Sequence, residues 1–211
     1  MNKHTPSFDK EKLEYLSKLF VRAEQLIKLS EQTSDGVVIP SINELRYFGY
    51  HLLQAILDDH DPVQISEQLK KAESHAKRAI YDASESIVLY HLMKAEYFQK
   101  IFSESVFVID VLPSYIQLQQ ELQKAKDQID ELRKNEGVYK NREMFYENCL
   151  PYMDILKDIT QQFELAKPVI RKKDDDKYKS DLKSARQHQL MIGFTVLGIV
   201  LSVVIGVFVN S

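Results

Sequence analysis

Cysteine is nearly absent from this chain of 211 residues, where Cys149 stands alone. A single thiol excludes an internal disulfide framework and a cysteine-based zinc site, in keeping with a reducing compartment. Glycine and proline are sparse, six of each, so long stretches carry no breaker and read as helix. The chain has no strand-rich region, internal repeat or phosphate-cradling glycine loop, and no HExxH, GxSxG or EF-hand pattern. The formal net charge of -3 excludes a protein that coats nucleic acid by bulk charge, while leaving room for a local basic face. The opening MNKHTPSFDKEK has no apolar segment of the kind a secretory leader needs.

What is present is helical periodicity. Leu13, Leu16, Leu19, Phe20, Ala23, Leu26 and Ile27 recur at steps of three and four, predicting an amphipathic helix that Asp35-Gly36 ends. Ser41-Ile42-Asn43-Glu44 has the form of a capping box opening a second helix through Phe48, Leu52 and Ile56. A third, starting after Pro62, has no obvious stop before Phe102, a length that suggests the spine of a helical hairpin. In a fourth, Tyr115, Leu118, Leu122, Ala125, Ile129 and Leu132 form a seam suited to packing within the chain or to docking another helical protein. A fifth is expected from about Asn141 to Ala166, bent near Pro151.

The chain closes on an apolar run, Leu190 to Val209, with no charged residue. At about 1.5 Å per residue, roughly twenty such residues would cover a hydrocarbon core of about 30 Å, which predicts a membrane span. Arg171, Lys172, Lys173, Lys177, Lys179, Lys183 and Arg186 precede it and no positive charge follows, so the body would lie in the cytoplasm. Thr195, Gly198, Ser202 and Gly206 share one helix face, and small residues allow close approach of helices in lipid, so this face is expected to drive self-association. The fold expected is therefore all-α: a cytoplasmic bundle of about five helices over 7–167, a charged stalk over 168–189 and a single transmembrane helix over 190–209.

Two constellations carry candidate chemistry. In the second helix Arg46 and His51 are separated by four residues. A histidine can exchange protons near neutral pH and an arginine can hold phosphate charge. On an unbroken helix their side chains diverge by roughly 140°, and the packing alternative places Arg46 in an ion pair and His51 partly buried. In the third helix His75, Arg78 and Asp82 fall within helix-neighbour reach. Against the Arg46 helix they would form a pocket for an anionic ligand or RNA. The acidic run Asp58, Asp59, His60 and Asp61 reads as an exposed turn, and neither a metal nor a cofactor is expected.

The Arg46-x4-His51 pattern in an all-helical body resembles the HEPN superfamily, whose metal-independent ribonucleases use an R-x4-6-H motif that usually meets a second copy across a dimer. The resemblance implies Arg46 and His51 as catalytic residues if the chain is an enzyme. It also points to the membrane-associated accessory and effector proteins of prokaryotic antiviral systems, including partners of type VI CRISPR systems. The leading expectation is a non-enzymatic or weakly enzymatic, membrane-anchored oligomeric effector of antiviral or toxin type. In it the HEPN-like domain would control assembly of C-terminal helices that perturb or perforate the membrane. Two alternatives are an anchored ribonuclease using Arg46 and His51, and a tail-anchored adaptor for a helical partner. Membrane lipid, further copies of the chain, and RNA or an RNA-guided effector protein are the expected partners; DNA is not.

Overall fold

The computed structural model describes residues 9–57, 61–134 and 142–209, with side chains described over 144–199 in the last run. Among them the chain forms six helices and no strand: α1 (Lys10–Ser34), α2 (Ile39–Ile56), α3 (Pro62–Phe102), α4 (Val108–Val111), α5 (Tyr115–Lys134) and α6 (Arg142–Val209).

Each boundary has a local cause. The Asp9 carboxylate caps α1 by accepting from the Glu11 N–H at 3.0 Å, and Asp35 ends it in the left-handed region at φ 52°, a conformation that aspartate tolerates better than most residues. Asp61 and Gln64 form a reciprocal capping box at the head of α3, followed by Pro62 at the start of the helix, where the missing N–H costs nothing. The box expected at Ser41 does not form. Pro40 starts α2 earlier, with Val38 as the residue before it, so Ser41 lies inside the helix, wholly buried, and Glu44 is released for other use.

α3 is the spine, 41 residues long. Ala72, Ala76, Ala79 and Ala83 are wholly buried along it, and the missing bulk lets neighbouring helices approach closely. α1 runs parallel to its middle: Lys12 and Tyr15 reach Glu73, while Leu29 and Thr33 share a cavity with Tyr90 and Lys94. α2 returns antiparallel, since Glu44 meets His75 and His51 meets Gln68. α5 is also antiparallel, pairing Lys126 with Glu96 at 2.6 Å and Arg133 with Glu85 at 3.3 Å. α6 runs parallel, with Phe145 against Tyr81, Phe163 against Phe98 and Arg171 over Phe102. The α5 seam at Tyr115, Leu118, Leu122, Ala125 and Ile129 is buried inside this bundle, so it is not open to another protein.

α6 departs from expectation in two ways. It does not stop near Ala166: it continues through Pro151 and Pro168, both on its exposed side, as one helix of 68 residues. The membrane reading is also corrected. Among the described residues no helix is long and apolar enough to cross a membrane. The apolar run from Leu190 onward belongs to α6, which is one helix from Arg142 to Val209. Upstream the same helix is crowded with charge, including Lys183 and Arg186. The single-pass, tail-anchored and pore expectations lose their basis with it. Side chains 200–209, with Ser202 and Gly206 among them, lie outside the described residues, as do residues 58–60 of the acidic run.

Candidate functional site

The antiparallel register of α2 on α3 decides what meets what. Glu44 and His51 are seven residues apart on α2, as Gln68 and His75 are on α3, so each pair occupies one helix face. When the helices pack, two hydrogen bonds close between them. The His75 Nδ1–H donates to the Glu44 carboxylate at 2.6 Å, and the His51 Nδ1–H donates to the Gln68 carbonyl oxygen at 2.7 Å. These acceptors select the tautomer: with hydrogen on Nδ1, each neutral ring carries its lone pair on Nε2.

The two imidazoles stack, centroids 5.1 Å apart and planes within 12°. Tyr47 packs on the His75 ring at 5.4 Å, Tyr50 meets the His51 ring edge-on at 5.1 Å, and the Arg46 guanidinium lies 5.2 Å from the Tyr47 ring. The histidines are half-buried, while Arg46, Tyr47 and Tyr50 are exposed, so the cluster is set in the wall but opens to solvent through its aromatic and cationic rim. Along α3, Lys71 and Arg78 flank His75 on the same face, both exposed. Glu44 fixes the orientation of the His75 ring and balances the charge that the ring acquires when it takes a proton.

The arrangement joins the two constellations read from the sequence in a way neither predicted. Arg46 and His51 do not form a pair: the neighbours of His51 are Tyr50, Gln68 and His75, and Arg46 is linked to it through Tyr47 and His75. His75 belongs to the cluster and Arg78 to its margin, whereas Asp82 lines a separate cavity with Ser34, Val37 and Met93. Glu44, Tyr47 and Gln68 were missed. The heptad spacing of Glu44 to His51 and of Gln68 to His75 is the signal that would have found Glu44 and Gln68. Thr195 donates to the Met191 carbonyl at 2.9 Å within its own helix, and a Cβ at Gly198 would meet nothing within 4 Å.

His91 makes a useful contrast. It is 7% exposed, beside a cavity of about 610 Å³ between α1, α3 and α6, and its Nδ1–H donates to the Thr160 hydroxyl at 2.8 Å, which in turn donates to the Lys157 carbonyl. Burial, helped by the charge of Lys157, holds this ring below the usual histidine range and keeps it neutral. It is a satisfied core histidine. Among the described residues no three of His, Cys, Asp and Glu are placed to hold a metal ion. Comparison with protein-family models, with curated proteins and with solved structures finds no match for this chain.

Proposed function

We propose that the α2–α3 face is the active site of a metal-independent ribonuclease acting on single-stranded RNA. The observation that carries this reading is the stacked His51–His75 pair, each ring anchored at Nδ1 and so presenting Nε2 as its working atom. Cleavage of RNA without a metal needs two proton transfers. One Nε2 takes the proton of the ribose 2′-OH as that oxygen attacks the adjacent phosphorus. The other ring, entering as imidazolium, gives its proton to the departing 5′-oxygen, leaving a 2′,3′-cyclic phosphate and a 5′-hydroxyl. Arg46, Lys71 and Arg78 supply cationic groups for the backbone, and the exposed rings of Tyr47 and Tyr50 offer faces on which unpaired bases can stack. The Arg46-x4-His51 resemblance to HEPN ribonucleases supports the same class, with His75 rather than Arg46 as the direct neighbour of His51.

The test is incubation of the full chain with a labelled RNA and its all-deoxy analogue in the presence of a chelator. Cleavage of the RNA alone is expected, with loss of about 10²- to 10⁴-fold for His51→Ala or His75→Ala, the usual range for removing one acid–base group. Intact RNA, or equal cutting of the deoxy strand, would sink the reading.

A further inference from the structure

We infer that two copies of this chain pair through the projecting part of α6 as a parallel, two-stranded coiled coil. Among the described side chains Ile170 is the last buried one of α6. From 171 to 199 every side chain is exposed except that of Asp174, which accepts from the Ser105 hydroxyl at 2.8 Å beside α4. Helices of this kind draw most of their stability from packing, and among the described residues this length meets its own bundle at its base, where Arg171 lies over Phe102, Lys173 and Lys177 over Phe107, and Asp174 against Ser105.

Its sequence carries a seam that the bundle does not use. Tyr178, Leu182, Ala185, Gln189, Ile192 and Val196 follow one another at alternating steps of four and three, the d and a positions of a heptad. Tyr178, Leu182, Ile192 and Val196 are each more than half exposed, at 66%, 53%, 56% and 55%. A straight helix drifts about 20° per heptad away from such a repeat, so the seam stays in register only against a partner that supercoils with it.

Charge identifies the partner and its direction. In this register Asp174 and Asp181 occupy g positions, while Lys179 and Arg186 occupy e positions. In a parallel pair each g residue faces the e residue five places on in the other helix, which sets Asp181 opposite Arg186 in both directions and, at the base, Asp174 opposite Lys179. An antiparallel pair would oppose g with g and e with e, bringing like charges together. The flank is therefore complementary to itself in parallel. Gln189, the polar residue at an a position, favours the one register in which it meets its counterpart. Both bundles then lie at the same end of the coil, each with its own His51–His75 face. In this register Thr195 falls at a g position beside the seam and Gly198 at an outer c position, and the interface stands independently of the chemistry proposed for α2 and α3.

The full chain is expected to run at twice its mass of 24.6 kDa by light scattering. Leu182→Glu should return it to monomer, Asp181→Arg should weaken the dimer, and adding Arg186→Asp to that variant should restore it. Cysteine placement reads geometry directly, because the native Cys149 is wholly buried. Under mild oxidation Ala185→Cys should give a disulfide-linked dimer and Ser184→Cys, on the outer face, should not. A monomeric wild-type chain, equal cross-linking at 184 and 185, or no recovery in the charge-swapped pair would each overturn the proposal.

Discussion

Replacing Phe163 by alanine should remove much of the stability of the bundle. Phe163 is 1% exposed and stacks on the wholly buried Phe98 with centroids 4.2 Å apart and planes within 11°. Tyr115 lies 6.0 Å from both rings, so this contact joins α3, α5 and α6 at one point. Truncating a fully buried phenylalanine costs about 3–5 kcal/mol, from lost transfer energy plus the cavity left behind. The ring pair accounts for about 0.5–1.5 kcal/mol beyond its buried area. A domain holds only about 5–15 kcal/mol in total, so the variant should lose roughly a fifth of its stability or more. Phe163→Leu, which keeps most of the volume, should lose markedly less. Urea unfolding followed by tyrosine emission is the assay, since the chain has no tryptophan and the projecting helix contributes little to that signal. A loss under about 1 kcal/mol for Phe163→Ala, at unchanged denaturant slope, would refute the packing described here.

Cys149 is wholly buried, and desolvation pushes its thiol up to about 12, against a smaller opposing effect of Arg133; iodoacetamide should label it only after the bundle is unfolded. The His91 ring is held neutral in the fold, so the unfolded chain binds protons more readily below about pH 6.5. Its contribution to stability is present above that value and is lost as the pH falls toward its lower folded pKa, by at most about 1.4 kcal/mol per pH unit. His91→Gln, which can keep a bond to Thr160, should show a flatter stability profile than the wild type across that window when both are unfolded in urea. Ser41 carries a buried hydroxyl with no hydrogen-bond partner among the described residues, and stranding such a group costs about 1–3 kcal/mol. Ser41→Ala should therefore raise the urea midpoint, whereas a lowered midpoint would mean that the hydroxyl is satisfied.

Much of the bundle could be read from apolar spacing because helix periodicity and burial are the same fact seen twice. Leu16, Leu19, Ala23, Leu26 and Ile27 on α1, the alanines of α3 and the seam of α5 from Tyr115 to Ile129 are all buried where their steps of three and four place them. The site was only half legible. His51 and His75 were both visible as candidates, but they lie in different helices, and only the register of α2 on α3 brings their rings together. Local pattern does not set that register. Ser41 to Glu44 matched a capping box, yet Pro40 started the helix earlier and freed Glu44 to orient His75. Arg46 failed as the partner of His51 for the reason helix geometry already contained, a five-residue separation that turns the side chains apart. The membrane expectation rested on the run Leu190 to Val209, and among the described residues no helix is long and apolar enough to cross a membrane.

The central claim is that His51 and His75 act as one unit on RNA, and a double-mutant cycle tests it most directly. Cleavage rates of a labelled single-stranded RNA would be measured for the wild-type chain, His51→Ala, His75→Ala and the double variant, with a chelator throughout. If each ring performs one of two proton transfers in a shared step, either single change removes most of the activity and the second adds little, so the losses are far from additive. Losses that simply multiply, or a single variant that cuts as well as the wild type, would contradict the account.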